Sequence, residues 1–280
     1  MDIDIDELRS WIGRSQLQHE TLTPALIDRF NATFDRTGPS EPGTDAPLLI
    51  HLCLCQPAAA TAALGDDGHP ARGGFLPPVP LPRRMWAGGV FEFHAAPRSG
   101  ETITRRSTIA DVTLKEGRSG RLCFITVAHE LSADGRALVT ERQDIVYRDP
   151  PGGPSSGTSP APVRAPQGQQ VRTIRPDPVL LFRYSALTFN GHRIHYDRPY
   201  ATGEEGYPGL VVHGPLQATL LAQFATDLRG VPPHRFSFRS LSPIHDTGRF
   251  TLNASESGGG LDLWTAAADG PVAMEARAEW

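Results

Sequence analysis

Two imidazoles, two guanidiniums, a carboxylate and an amide fall within nine positions of this chain, in Asn190-Gly191-His192-Arg193-Ile194-His195-Tyr196-Asp197-Arg198. Burying that many polar groups costs free energy unless each is paired or used. The run is therefore either a solvated loop or a chemical centre. His192 and His195 are suited to taking and returning protons, because an unperturbed imidazole titrates at about 6.5. Downstream, Gly206-Tyr207-Pro208-Gly209 leads through Leu210-Val211-Val212 into His213-Gly214, where a helical pattern begins. A glycine at a helix N-terminus lets a ligand oxygen reach free backbone N–H groups, and the helix dipole favours negative charge there. Gly214 is either a cradle for developing charge, as an enolate-forming thioester reaction requires, or a packing glycine.

The elements that must position these groups can be read from periodicity. Leu216, Leu220, Phe224 and Leu228 recur every four residues, and Leu221 and Ala225 widen the stripe. That pattern predicts an amphipathic helix, with Pro215 in its first turn and Arg229-Gly230 as its stop. In the first half, residues 48–55 are a shorter counterpart, closed by Pro57. Thr23 followed by Pro24, then Leu26, Ile27, Phe30 and Phe34, predicts a capped N-terminal helix. Alternating runs predict strands: 106–114 and 122–131 in one half, 251–255 and 261–268 in the other. Two Asp-Gly turns, at Asp134 and Asp269, each precede a long strand-like run, and Phe91 and Phe93 find an echo in Phe236 and Phe238. The run 149–170 is rich in Pro, Gly and Ser and too poor in apolar side chains to offset its ordering entropy. It reads as a linker between units at 1–148 and 171–280. The expected architecture is α+β, with two antiparallel sheets each wrapped around a central helix.

Bulk properties narrow the classes. The chain has 280 residues and a formal charge of −4, with no basic run, which disfavours nucleic acid and anionic membrane as partners. The acidic start, MDIDIDELRSW, resembles neither a signal nor a transit peptide, and no apolar stretch is long enough to span a bilayer. Three cysteines make no disulfide framework and no closed zinc site. Cys53 and Cys55 read as buried small hydrophobes rather than a soft metal pair, so no metal is expected. A reducing cytoplasm is the expected compartment.

Asn190 to His195 (N-G-H-R-I-H), followed by Gly209 to Leu216 (G-L-V-V-H-G-P-L), resembles the signature of MaoC-type, or (R)-specific, enoyl-CoA hydratases. The longer strings Tyr184 to Ala201 and His69 to Gly89 are similar to the branch containing mesaconyl-C4-CoA and itaconyl-CoA hydratases. The resemblance implies a double hot-dog fold, with a catalytic second half and a first half that lost its chemistry and serves binding. It implies an acyl-CoA substrate, no cofactor apart from the coenzyme A of that substrate, and an assembly that can be a homodimer. His195 takes the place of the catalytic histidine, and Gly214 that of the glycine whose N–H holds the thioester oxygen. Asn190 falls where the general pattern has an aspartate, and an amide cannot accept a proton as a base.

The resulting expectation is hydration of a short dicarboxylic enoyl-CoA, itaconyl-CoA or mesaconyl-C4-CoA, to citramalyl-CoA. His195 would activate the water, Asn190 would orient it, and Gly214 would hold the enolate. His192 is either a second acid/base, a contact for an anionic substrate end, or a structural loop residue. Arg183, Arg193 and Arg198 are candidates for a carboxylate or for CoA phosphates, with Tyr196, His213 and Trp86 as further substrate contacts. Arg83 and Arg84 either line the same groove or form a solvated loop, and Asp197 either pairs with an imidazole or caps a turn. The alternatives are the reverse reaction, dehydration of a 3-hydroxyacyl thioester in fatty acid metabolism, and a non-catalytic acyl-CoA-binding protein. Thioester hydrolysis ranks lower, because the helix carries only one carboxylate, Asp227, at its far end.

Overall fold

The computed structural model describes residues 3–117, 120–149 and 163–280. Most of the linker read at 149–170 lies outside these residues. Its last positions are strand-bound: Gly168 N–H donates to Asn253 Oδ1 at 3.1 Å, and β6 (Gln170–Ile174) begins at Gln170.

The strands of the first half are β1 (Ser15–Thr21), β2 (Arg83–Phe93), β3 (Thr102–Gly117), β4 (Gly120–Ala133) and β5 (Arg136–Arg148). Those of the second, with β6, are β7 (Arg235–Ser240), β8 (Phe250–Ser257), β9 (Gly260–Ala267) and β10 (Val272–Glu279). Alternation sets their faces. In β4, Cys123, Ile125, Val127, His129 and Leu131 are buried, while the residues alternating with them are partly covered or exposed. The two predicted Asp-Gly turns are present, joining β4 to β5 and β9 to β10. Asp134 (φ 47°) and Asp269 (φ 55°) both occupy the left-handed region that tight hairpins need.

The expected pair of sheets is in fact one. All ten strands form a single antiparallel sheet in the order β1-β3-β4-β5-β2-β7-β10-β9-β8-β6. The seam is β2 against β7, with Phe91 opposite Phe236 and Gly89 opposite Phe238. Pairing there satisfies backbone groups that two separate sheets would leave at open edges. Glycine makes the junction fit: a Cβ at Gly89 would lie 2.6 Å from the Arg142 carbonyl oxygen and 2.8 Å from the Phe238 ring.

The second correction concerns the helices. The second half has its central helix, α4 (Gly214–Arg229), packed on β7 to β10. Leu216, Leu221, Phe224 and Ala225 are buried, and Gly230 (φ 75°) ends the helix as predicted. Residues 48–55 form no equivalent, only one 3-10 turn at Ile50–Cys53. Leu49 (φ 66°) and Cys55 (φ 56°) are left-handed on either side of that turn, so no helix can propagate through it. The predicted N-terminal helix is α2 (Pro24–Thr33), with Thr23 Oγ1 accepting from Leu26 N–H at 3.2 Å, and it follows a short α1 (Ile5–Arg9). The run Phe182 to Phe189 belongs to α3 (Pro178–Leu187) and its exit. No helix among the described residues is long and apolar enough to cross a membrane.

Without a long helix over β2 to β5, the inner face of the first half is left open. A cavity of about 1170 Å³ runs from there to the N-terminus of α4.

Candidate active site

The turn after α3 carries the polar run into this cavity. Asn190 N–H donates to the Ser185 carbonyl at 2.8 Å, and Asn190 Oδ1 accepts from His192 N–H at 3.0 Å. A 3-10 turn, Arg193–His195, then places His195 inside, 8% exposed. Its Nδ1–H donates to the Val211 carbonyl at 2.7 Å, which fixes the tautomer and leaves Nε2 as an acceptor with no partner among the described residues. Burial pushes its pKa down to about 4, against the opposing pull of the Val211 carbonyl. His195 is thus a neutral imidazole at neutral pH, ready to accept a proton.

His213, the residue before α4, stacks on His195 with ring centroids 3.6 Å apart. Its Nε2 bonds Ser185 Oγ at 2.8 Å, and burial holds it well below the usual imidazole range. It is 1% exposed, so it acts as a wall behind His195. The backbone N–H of Gly214, next in the chain, has no partner among the described residues. A Cβ on Gly214 would come within 3.0 Å of the Trp86 ring. This glycine packs against Trp86, and its N–H is a donor without a partner among the described residues. Trp86 in turn stacks on Phe238 at 4.1 Å, so the β2–β7 seam supports the helix start.

The structure gathers His195, Asn190, His192, Gly214, Tyr196, His213 and Trp86 around one cavity. Tyr196 is half-exposed, its hydroxyl donating to the Gly191 carbonyl at 3.0 Å. The three arginines are placed elsewhere. Arg193 pairs with Asp197 at 2.8 Å, Arg198 pairs with Asp246, and Arg183 donates to the Ala32 carbonyl at 3.3 Å. Arg183 lines a separate cavity of about 720 Å³. The cations on the main cavity are instead Arg72, Arg83, Arg84, Arg105 and Arg148, all from the first half. Asp197 caps Tyr200 N–H at 3.2 Å and pairs with Arg193 rather than an imidazole. Cys53, Cys55 and Cys123 are buried and free.

Sequence reasoning missed Asp67 and His69. The His69 ring lies 4.0 Å from that of His192, and its Nδ1–H donates to Asp67 Oδ2 at 3.0 Å. The run Asp66-Asp67-Gly68-His69 had the composition of a site, but nothing in the sequence placed it beside residues 190–195. Asp67, His69 and His192 also bring three ligand-capable atoms within 4.8 Å of one another. Deeper in the first half, burial pushes His129 down to about 4 and Glu141 up to about 7.

A bent antiparallel sheet around one apolar helix, with an imidazole and a free helix-start N–H at a shared cavity, defines an acyl-thioester enzyme of the hot-dog class. The profile of hydroxyacyl-thioester dehydratase type 2 matches residues 49–246, and the chain belongs to that family. It is 44% identical over 272 residues to mesaconyl-C(4)-CoA hydratase of Chloroflexus aurantiacus, covering 96% of each chain. Among solved structures it is similar to HtdX of Mycobacterium tuberculosis, with TM-score 0.68, 19% identity, and 95% and 99% of the two chains covered. A double-hotdog protein of the same organism matches with TM-score 0.55, 14% identity and 95% of each chain covered.

Proposed function

We propose that this protein is an acyl-CoA hydratase adding water across the C=C bond of a short dicarboxylic enoyl-CoA. Mesaconyl-C4-CoA and itaconyl-CoA are the substrates of this reading, and citramalyl-CoA is the product. The similarity to the Chloroflexus hydratase, over nearly the whole of both chains, supports the substrate class. The observation that carries the chemistry is the His195 imidazole, its tautomer fixed by Val211 and its free Nε2 at the cavity.

In the reaction, His195 accepts a hydrogen bond from the attacking water and activates it. Asn190 has its oxygen committed to His192 N–H, which leaves the amide N–H₂ to orient the water. Negative charge that builds on the thioester oxygen is met by Gly214 N–H at the start of α4. The five cavity arginines suit the acyl carboxylate and CoA phosphates. Arg183, Arg193 and Arg198 fit contacts with the part of CoA outside the cavity. The coenzyme belongs to the substrate, and no separate cofactor enters this reading. Catalysis from the 171–280 unit with binding by the 1–148 unit, a cytoplasmic location and a homodimeric assembly complete it.

The size of the cavity favours one second reading, dehydration of a longer 3-hydroxyacyl thioester, which is the same chemistry reversed. A panel of enoyl-CoAs separates the two. Mesaconyl-C4-CoA or itaconyl-CoA should be hydrated with the highest kcat/KM. His195→Ala should lower kcat by about 10²-fold or more, and an unchanged rate in that variant would remove the hydratase reading.

A further inference from the structure

Four imidazoles form a row along the cavity wall. His213 stacks on His195 at 3.6 Å, His195 meets the His192 ring edge-on at 5.3 Å, and His192 lies 4.0 Å from His69. The row ends on a carboxylate. Asp67 accepts from His69 Nδ1–H at 3.0 Å through Oδ2 and from His69 backbone N–H at 2.9 Å through Oδ1. It thus grips one residue at two points, which fixes both the rotamer and the tautomer of the ring.

This segment comes from the first half, yet it is clamped to the site. Arg193 N–H donates to the Asp67 carbonyl at 2.9 Å, and Arg193 Nη1 donates to the Asp66 carbonyl at 3.0 Å. Gly68 sits so close to the turn that a Cβ there would fall 1.9 Å from the Gly191 carbonyl oxygen. With φ at +84°, Gly68 also needs a backbone conformation that other residues resist. The 190–195 turn itself supplies an amide where a carboxylate would be useful, and Asp197 is spent on Arg193 and Tyr200.

We propose that Asp67 and His69 supply the acid/base pair of the hydration, with His69 as the catalytic group and Asp67 as its positioning residue. The proposal rests on the hydratase reading and revises it in two respects: the proton of the water goes to His69 while His195 holds the water by a hydrogen bond, and the first half contributes a catalytic group as well as binding. His69 lines the cavity, and with Nδ1–H on Asp67 its Nε2 carries a lone pair without a partner among the described residues. In the proposed step the attacking water donates hydrogen bonds to His69 Nε2 and to His195 Nε2. Its oxygen bonds to Cβ as His69 Nε2 takes one of its protons, and the C=C electron pair moves to Cα and the thioester as an enolate. The new imidazolium then gives the same proton to Cα, the enolate collapses to the thioester, and His69 returns to neutral. The second hydrogen of the water stays on the product hydroxyl, held by His195. The sum is one water added and nothing else consumed.

Charge decides which imidazole takes the proton. An imidazolium at His69 faces the Asp67 carboxylate, as in other carboxylate–imidazole pairs. At His195 it would face a backbone carbonyl, the stacked His213 and the edge of His192, with no carboxylate partner among the described residues. Burial lowers the His69 pKa, Asp67 pulls it back up and the nearby Arg84 guanidinium opposes Asp67, so the resting ring is neutral and able to accept.

The test uses the full-length protein with mesaconyl-C4-CoA. Asp67→Asn keeps a hydrogen-bonding side chain and removes the charge; His69→Ala removes the ring. Both should lower kcat by about 10²-fold or more with KM within about threefold, as loss of an acid/base group predicts. Asp67→Asn should also move the acid limb of the kcat–pH profile to lower pH, and added imidazole should restore part of the His69→Ala rate. A purely structural loop would give neither signature. Thermal melts matching the parent establish that both variants are folded, and Asp67→Asn with its pH profile decides alone should His69→Ala unfold. If both variants keep the parental kcat and profile while His195→Ala is inactive, the pair is overturned and the hydratase reading survives. A parent that hydrates no enoyl-CoA in the panel overturns both. If a chelator abolishes parental activity and zinc or manganese restores it, Asp67, His69 and His192 hold a metal ion and the proposal falls.

Discussion

Imidazoles 3.6 Å apart, as in His195 and His213, cannot both be charged in a buried site, and here neither is at neutral pH. Burial lowers every cavity histidine, to about 4 in His195 and about 2 in His192. The base forms therefore persist well below the ordinary imidazole range. The acid limb of hydration should fall below about pH 6.5, the unperturbed value, and a limb at or above it in the kcat–pH profile would contradict this electrostatic picture. Ser185→Ala would leave His213 Nε2 buried without its partner. The expected loss is about 1–3 kcal/mol, read from urea unfolding. Gly214→Ala would push a Cβ within 3.0 Å of Trp86 and displace the helix start. Its kcat should drop about tenfold or more with the fold intact, because oxyanion donors act only at close range.

Two elements place these residues, the helix α4 and the seam between β2 and β7. His213 supplies no side-chain cap to α4, so the first N–H groups stay available. Stability comes from the packed face instead, and Leu221→Ala should cost about 2–5 kcal/mol in urea unfolding. The seam depends on Gly89. A methyl there meets a carbonyl oxygen and the Phe238 ring that carries Trp86. Gly89→Ala should destabilise by about 1–3 kcal/mol and weaken catalysis as well, through Trp86 beneath Gly214. A variant as stable and active as the parent would show that the seam can yield without cost.

At the scale of the whole molecule, buried titratable groups set the pH range of the fold. His51, His129 and His195 are held neutral, at about 3, about 4 and about 4, chiefly by burial. Their folded values lie below the unfolded one, so the stability they contribute is present above about pH 6.5 and lost as pH falls toward 4 to 3. Glu141 acts in the opposite sense. Its pKa is raised to about 7, so its contribution is present below the ordinary carboxylate range and lost as pH rises through 7. Seven histidines lowered in this way (His51, His69, His129, His192, His195, His213 and His245) against the raised Glu141 predict falling stability on acidification, on the order of 1.4 kcal/mol for each tenfold difference in proton affinity between the folded and unfolded chain. Thermal melts between neutral and mildly acid pH measure it, and a flat profile would refute it.

The sequence by itself determined the elements and the local chemistry. The helix signalled by the four-residue repeat from Leu216, the Asp-Gly turns and the cap at Thr23 are all set by near neighbours and are present in the structure, although Leu228, the last of the repeat, is exposed. What only the tertiary structure decided was pairing across distance. Whether β2 and β7 close one sheet depends on edge complementarity between residues far apart in the chain, which no periodicity encodes. The failure of residues 48–55 to form a helix depends on left-handed residues at Leu49 and Cys55, neither of them glycine. The separation of Arg183, Arg193 and Arg198 from the cavity, and the arrival of Asp67 and His69 beside His192, follow from the docking of one half on the other. Local physics named the histidine; long-range packing chose its company.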